Sequence, residues 1–301
     1  MNSTTQFRSS LGLLRIALLL LAIGAWGIAW AQKPAAKQAE PQARITLAIN
    51  EGGAANADAA ETLFKYQEIA ELVEKIMRRQ VLIVAVRDRT KLKNSLKKHE
   101  YALLLARPND VPAEAIRDFG YQAIAMAKEP SQTLLIVSKN SKLKTIADIK
   151  GKTIVTPDQY SNMWRVANAM LRDNNIIMAN EQVKSMRDQA AIGWSMENGF
   201  YDVGVINSIS GVARSWEKNG GRVLARSREL PNMPFIASPE VTEEQVAKLR
   251  AGVIALESSD AGKVVLKKIG LTGFQAADAK VFLDFLAWIG DLEVAKNADQ
   301  P

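Results

Sequence analysis

The sequence predicts an α/β protein, because segments with strand and helix patterns alternate along the chain from Arg44 onward. Strands that alternate with helices favour mostly parallel sheets with helices packed on their faces. Apolar residues make up 48% of the 301 residues, which is enough for a full core. We therefore expect one large domain, or two of ordinary size, after the N-terminal segment.

The first block of predicted elements spans residues 44–138. Apolar side chains recur at helical spacing over residues 60–79, which predicts an amphipathic helix. Pro112 suits the first turn of a helix, because the N–H that it lacks would be unpaired there. The elements predicted in this block are strands over 44–50, 80–86, 101–106, 121–128 and 133–138, and helices over 60–79, 91–98 and 111–119.

The second block spans residues 142–286. Gly151, Gly199 and Gly220 mark helix ends, since glycine readily adopts the left-handed conformation that ends a helix. Thr242 and Gln245 have the spacing of a capping box. The elements predicted in this block are strands over 152–155, 182–186, 201–206 and 222–226, an extended segment over 234–238, and helices over 143–149, 162–173, 189–198, 208–218, 242–256, 259–269 and 277–286.

The N-terminus has the parts of a secretory signal peptide. Arg8 and Arg15 give a basic start, residues 16–30 are almost wholly apolar, and Ala29 and Ala31 form a small-residue cleavage pattern. This apolar run is shorter than the roughly 20 residues that a membrane-spanning helix needs. We predict a signal peptide over residues 1–31, cut after Ala31, and hence export to the periplasm.

The alternative is an uncleaved anchor, in which residues 11–31 stretch across the membrane.

Residues 32–43 contain neither aromatic nor branched side chains, so we predict a disordered linker there. The chain has no Cys, which excludes disulfides. It has one His, which argues against a multi-His metal site and against a His-centred catalytic triad. We expect no metal, no cofactor and no catalytic residues.

The net charge of +7 mildly favours anionic ligands. The basic runs at residues 91–93 and 97–98 are short and lack aromatic partners, whereas a nucleic-acid surface needs a denser basic stripe. We therefore expect no nucleic-acid partner.

Three segments resemble one known family. Residues 143–155 read LKTIADIKGKTIV and resemble the "lkslaDLkGktva" signature of type II periplasmic solute-binding proteins. Residues 64–75 (FKYQEIAELVEK) are similar to the "yqpLadyLek" helix of the phosphonate-binding branch. Residues 187–208 resemble the family element "hdaailavanGeaDvgavds", and the matching residues are Gly199, Asp202, Gly204, Val205 and Ser208.

The resemblance covers nearly all of residues 44–290 and implies a two-lobed type II periplasmic-binding-protein fold. Each lobe would be a mixed, mostly parallel sheet flanked by helices, and two hinge strands would join the lobes. Lobe 1 would comprise residues 44–134 and 228–301, and lobe 2 residues 135–227. The solute would lie in the cleft between the lobes, and closure would present a shape to a membrane permease.

The resemblance also points to solute contacts in the second lobe. In the phosphonate-binding branch, a Ser-Thr-Ser turn at a helix N-terminus holds the phosphonate oxygens. The corresponding turn here keeps Ser161 and offers Tyr160 and Asn162 as further donors, although Asp158 would repel an anion if it pointed inward. The alternative is that Ser161 or Asn162 is simply the N-cap of the following helix.

Two substitutions relative to the family bear on the solute. Arg187 replaces the family's His, and a guanidinium pairs well with carboxylate, phosphate or sulfonate unless it forms a surface ion pair with Asp188 or a neighbour. Asn207 replaces the family acid that meets the amine of an aminophosphonate. We therefore expect a simple anion, or an organic acid without a cationic tail.

The first lobe supplies three more candidate contacts. Asn50 and Glu51 follow the first strand, and Arg107 follows the third, where the family usually has "flGP". Arg107 adds a positive charge to the cleft or lies outside it on a loop.

The main functional prediction is a monomeric periplasmic binding protein that is not an enzyme. It would capture a small anion, such as phosphate, a phosphonate or an organic acid, for an ABC permease in the inner membrane. The alternative is an exported sensor or accessory protein with the same fold that signals to a periplasmic partner.

Overall fold

The computed structural model describes residues 44–52, 58–159 and 161–290. The proposed signal peptide and linker, and candidate residue Tyr160, lie outside these ranges. Within the described part of the chain, no helix is both long enough and apolar enough to cross a membrane.

The first sheet has six strands in the order β11-β4-β10-β3-β1-β2. Strands β1, β2 and β3 pair in parallel, whereas β10 runs antiparallel to both β3 and β4. All four residues of β3 are buried, as expected for a strand covered on both faces. The strands are β1 (Ile45–Asn50), β2 (Val81–Ala85), β3 (Leu103–Ala106), β4 (Gln122–Ala127), β10 (Phe235–Ala237) and β11 (Phe274–Ala276).

The second sheet has five strands in the order β7-β6-β8-β5-β9. Strand β6 pairs in parallel with β7 and β8, and β5 runs antiparallel to β8 and β9. The strands are β5 (Thr133–Val137), β6 (Thr153–Thr156), β7 (Gln182–Ser185), β8 (Val203–Asn207) and β9 (Arg222–Arg226).

The chain crosses between the sheets twice, through residues 128–132 and 227–234. The first crossing leaves the carboxyl end of β4 and enters β5 at Thr133, which pairs with Asn207 at the carboxyl end of β8. The second crossing enters β10 at Phe235, which pairs with Leu105 near the carboxyl end of β3. The carboxyl ends of the parallel strands in the two sheets therefore lie on the sides joined by the crossings.

Nine helices flank these sheets in the described part of the chain. Ser161 caps α4 and Asp188 caps α5, while Gly199 follows α5 in the left-handed conformation (φ 71°). The capping box predicted for Thr242 and Gln245 is present at the start of α7. The helices are α1 (Ala59–Met77), α2 (Arg89–Lys97), α3 (Asp110–Phe119), α4 (Asn162–Arg172), α5 (Gln189–Glu197), α6 (Gly211–Trp216), α7 (Glu243–Ala255), α8 (Asp260–Lys268) and α9 (Ala279–Ile289).

The C-terminal helix α9 lies against both halves of the fold. It packs on α3, beside the first sheet, and on α4, beside the second sheet. Phe282 and Phe285 of α9 are buried in one apolar cluster with Ala113 of α3 and Trp164 of α4. We call the contact of α3, α9 and α4 the interlobe seam.

Several local elements differ from the sequence prediction, among them the helix predicted over 208–218, which spans Gly211–Trp216, and three others have a clear physical reason. Strand β11 was not predicted, because its three residues have only one buried side chain and pair at the sheet edge with β4. The helix predicted over 143–149 is a single 3-10 turn, Ile146–Ile149, capped by Thr145 and Asp148. Helix α9 extends beyond the predicted residue 286, because its last turn is buried in the seam. The predicted lobe boundaries stay a prediction.

Replacing Phe282 with Ala is expected to lower the free energy of unfolding by about 3–5 kcal/mol, because the ring is 0% exposed and its loss leaves a cavity in the seam. Chemical denaturation followed by circular dichroism measures the change. Leu283→Ala is the control, since Leu283 is 38% exposed on the same helix and should cost far less. Equal losses for the two variants would contradict this account of the seam.

Candidate functional site

The candidate site lies where the parallel strands of each sheet end. In the first sheet the turns after β1, β2 and β3 come together at the N-termini of α1, α2 and α3. A cavity of about 340 Å³ opens at this edge, and its lining residues are Asp58, Ala59, Ala85, Val86, Arg87, Asp88 and Lys91. In the second sheet, the corresponding edge carries the turns after β6, β7 and β8.

Asn50 holds the turn that leads out of β1. Its side-chain Nδ2 donates to the backbone oxygen of Val86 at 2.8 Å, and its Oδ1 accepts from the backbone N–H of Gly52 at 2.9 Å. Gly52 has φ 71°, and a Cβ there would lie 3.1 Å from Cγ of Pro108. Asn50 is therefore committed to joining the ends of β1 and β2.

Glu51 is the centre of a small charged cluster. Its carboxylate lies 2.8 Å from Nζ of Lys65 and 3.4 Å from Nε of Arg107, and it accepts a hydrogen bond from the hydroxyl of buried Tyr66. Burial by itself raises the pKa of Glu51, but the Arg107 charge and the hydrogen bonds from Lys65 and Tyr66 outweigh it and hold this pKa below its usual value. Burial, together with the charge of Glu51, raises the pKa of the Tyr66 hydroxyl.

Arg107 has a second partner inside the protein. Its guanidinium donates to the backbone oxygen of Ile269, just after α8, at 2.6 Å. It therefore ties the turn after β3 to the C-terminal part of the chain. The cluster of Lys65, Arg107 and Glu51 keeps one positive charge in excess.

In the second sheet, Ser161 and Asn162 lie at the start of α4. The Ser161 hydroxyl accepts from the backbone N–H of Trp164 at 3.2 Å, which makes Ser161 the N-cap. The Oδ1 atom of Asn162 is buried and has no hydrogen-bond partner among the described residues. Trp164 itself is buried in the apolar cluster of the seam.

Arg187 is exposed in the turn between β7 and α5. The neighbouring Asp188 caps α5 by accepting from the backbone N–H of Ala190 at 2.8 Å. Within the described ranges, no ion pair or hydrogen bond involves the Arg187 guanidinium. Its positive charge is thus available at the N-terminus of a helix, on the edge shared with β6 and β8.

Asn207 ends β8 on the same edge. Its backbone N–H donates to Oε1 of Gln189 at 2.8 Å, which joins β8 to the start of α5. Its own Oδ1 accepts from the backbone N–H of Ile209 at 3.0 Å. The Asn207 side chain is uncharged, and its Oδ1 atom already accepts a hydrogen bond from Ile209.

A buried charged cluster in the seam was missed by the sequence analysis. Arg165 of α4 is 2% exposed, and its Nη1 lies 3.1 Å from Asp110 and 2.8 Å from Glu114, both on α3. Arg89 of α2 also contacts Asp110, at 2.5 Å. Burial raises the pKa of Asp110, but the charges of Arg89 and Arg165 reverse this effect and leave the pKa lowered.

One signal in the sequence could have revealed this cluster. Arg165 falls on the buried face of a helix whose neighbouring residues are apolar, and Asp110 and Glu114 are spaced four apart on α3. A charge at a core position requires a partner of opposite charge. No group of three or more side chains in the described residues has the arrangement of a metal site.

Replacing Glu51 with Gln is expected to cost about 1–3 kcal/mol of stability at pH 7, because charge-assisted hydrogen bonds to Lys65 and Tyr66 are lost. The lowered pKa of Glu51 fixes the pH dependence. The stabilising contribution of Glu51 is complete above its unfolded-state pKa of roughly 4.3. This contribution is lost as the pH falls through the lower pKa of the folded state. Urea denaturation of both proteins between pH 3 and pH 8 measures the difference.

The matched control for this prediction is Glu71→Gln, on the exposed side of helix α1, the helix that carries Lys65 and Tyr66. This variant should change stability by less than about half a kcal/mol at every pH. A constant gap between Glu51→Gln and the unmodified protein down to pH 3 would contradict the ion pairing described for Glu51.

Solved structures confirm the fold class expected from the sequence. XAC2383 from Xanthomonas citri bound to ATP superposes with a TM-score of 0.68 at 13% identity, covering 85% of this chain and 99% of that chain. PhnD1 from Prochlorococcus marinus in complex with methylphosphonate superposes with a TM-score of 0.65 at 13% identity, covering 87% of this chain and 100% of that chain. A binding protein component of an ABC phosphonate transporter from Pseudomonas aeruginosa (PA3383) superposes with a TM-score of 0.59 at 17% identity, covering 85% of this chain and 87% of that chain.

The superpositions show a shared fold, and identities this low do not indicate which solute the chain binds. A comparison with curated proteins finds no match. The sequence profile of the family described as "ABC transporter, phosphonate, periplasmic substrate-binding protein" matches residues 52–282. The chain therefore belongs to this family of periplasmic solute-binding proteins of ABC transporters.

Proposed function

We propose that this protein binds a small oxyanion without a cationic tail in the cleft between its two sheets and delivers it to an ABC permease in the inner membrane. Phosphate, a phosphonate, a sulfonate or a simple organic acid has the required chemistry. The observation that carries the proposal is the exposed guanidinium of Arg187, which has no partner among the described residues and lies at the carboxyl edge of the second sheet.

The local electrostatics favour an anion. Arg187 precedes the N-terminus of α5, whose dipole attracts negative charge, although Asp188 already caps the backbone N–H of Ala190 there. A guanidinium offers two parallel donors that fit a carboxylate, phosphate or sulfonate. On the first-sheet side, Lys65 and Arg107 exceed the charge of Glu51 by one. We propose that Glu51 and Arg107 form the first-lobe wall of the site, with Asn50 shaping its turn.

The same edge argues against a solute that carries an amine. A protonated amine in a cleft needs a carboxylate or several free acceptors. Asn207 offers no charge, and its Oδ1 atom already accepts from Ile209. The buried Oδ1 of Asn162 is an acceptor that a hydroxyl or a protonated acid oxygen of the solute can use. Ser161 and Tyr160 complete the proposed second-lobe contacts.

The remaining parts of the proposal are the location, the oligomeric state and the lobe boundaries; family membership and the N-terminal sequence support the periplasmic location. The mature protein is a periplasmic monomer, released by cleavage after Ala31. It has no catalytic role, because its task is to enclose the solute and present it to a permease. The proposed lobes are residues 44–134 with 228–301, and residues 135–227.

A thermal-shift screen tests the proposal. Phosphate, methylphosphonate, a short alkyl sulfonate and small carboxylates are each added to the purified protein. At 100 times its Kd, a true ligand adds roughly 2.7 kcal/mol of stability, which raises the melting temperature by several degrees. Arg187→Ala should remove at least most of this rise, because it removes the charge that pairs with the anion.

The matched control is Lys139→Ala. Lys139 is an exposed cation that follows β5, at the opposite edge of the same sheet, so its loss should leave the thermal shift unchanged. Equal binding by Arg187→Ala and the unmodified protein would overturn the role of Arg187. Stabilisation by an aminoalkyl phosphonate but by none of the simple anions would overturn the solute class.

One observation favours the alternative of a sensor or accessory protein. Ser161 and Arg107, two of the expected anion contacts, already have internal hydrogen-bond partners. Deleting the gene should abolish cellular uptake of the stabilising anion if the protein feeds a permease. Normal uptake together with a changed transcriptional response to the anion would instead support the sensor.

A further inference from the structure

The interlobe seam contains an ion-pair cluster that the solute site does not require. Arg165 is 2% exposed, Asp110 is 0% exposed and Glu114 is 2% exposed. Arg165 belongs to α4, beside the second sheet, whereas both acids belong to α3, beside the first sheet. This contact therefore joins residues that the hinge segments would carry apart when the cleft opens.

We propose that Arg165 is a latch, which holds the two lobes together by closing the Asp110–Glu114 pair of α3 onto α4. It acts whichever solute the cleft takes, and it does not rest on the proposed solute class.

Helix α9 belongs to the proposed lobe 1 and packs on both α3 and α4. Three hydrogen bonds tie the end of α9 to α4. Arg165 donates to the backbone oxygen of Gly290 at 2.5 Å, Arg172 donates to that of Trp288 at 2.8 Å, and Trp288 Nε1 donates to Asp173 at 2.7 Å. Arg165 makes one of these bonds, and its guanidinium also joins α4 to Asp110 and Glu114 of α3, so this one side chain holds lobe 1 at two places.

The acids of α3 remain neutralised when the latch opens. Arg89 contacts Asp110 at 2.5 Å and Glu114 at 3.3 Å, and Lys93 contacts Glu114 at 3.1 Å, all within the first lobe. Opening therefore leaves two acids with two cations and returns Arg165 to water. An arginine that is rehydrated recovers its desolvation penalty, so a buried ion pair of this kind is close to break-even.

Near break-even energetics suit a latch. The closed arrangement gains the Arg165 contacts but must keep Nε of Arg165 and Oδ1 of Asp110 buried without partners among the described residues. The closed and open arrangements then differ by a small free energy, which differential binding by a solute is able to reverse.

The test measures the distance between the lobes directly. The chain has no Cys, so two introduced cysteines take spin labels without background. Glu61→Cys on α1 and Ala191→Cys on α5 are exposed positions near the two facing edges. Pulsed electron–electron double resonance on the purified protein then gives the distribution of label-to-label distances.

Arg165→Met keeps the apolar stem and removes the charge. It should shift the distribution to longer distances by more than the width of the original distribution, with Arg165→Lys falling between the two. Arg89→Met is the matched control, because it removes contacts to the same acids without crossing between the lobes, and its distribution should match the unmodified protein.

A folded Arg165→Met protein with the original distribution would overturn the latch and assign closure to the apolar contacts of the seam. An equal shift in Arg89→Met would also overturn it, since the effect would then belong to the acids rather than to the bridge. If Arg165→Met does not fold, Arg165→Lys is compared with Arg89→Lys. A shift confined to the former supports the latch, and equal distributions reject it.

Discussion

The architecture depends on a pair of antiparallel hinge segments that bond to each other while they cross between the sheets. Ser131 and Leu230 exchange backbone hydrogen bonds of 3.2 and 2.8 Å, and the side chain of Gln132 donates to the backbone oxygen of Ser227 at 2.8 Å. Because both segments join strand ends on the carboxyl side of the parallel strands, the turns of the two sheets face a common space. The position of the candidate site follows from this connectivity and needs no residue of special chemistry.

Charge is distributed unevenly around that space. Glu51 neutralises one of the two charges of Lys65 and Arg107, and the acids of α3 are held by Arg89 and Arg165. Arg187 is an exposed cation at the edge of the second sheet. The internal pairs join parts of the scaffold, and solute recognition by the exposed guanidinium stays a proposal.

Much of the local structure could be predicted from the sequence, because its signals act over a few residues. Each of these signals indicates a single turn or helix. Examples are the capping box at Thr242, the left-handed Gly199 and the spacing of apolar residues in α1. Strand β11 escaped prediction because three residues carry no periodicity and pair only at the sheet edge, with β4. Of the candidate site residues, the sequence placed each one at a strand or helix end without indicating which already had a partner.

The sequence by itself determined the order of the elements, the family and the absence of cysteine chemistry, since these properties depend on residue identity and short-range pattern. Only the tertiary structure decided that Arg107 bonds to Ile269, 162 positions along the chain, and that Arg165 meets Asp110, 55 positions away. Such contacts depend on which distant segments pack together in three dimensions. The sequence shows only that an arginine is present. Whether its guanidinium binds a backbone carbonyl, an acid or a solute depends on which groups surround it in the folded structure.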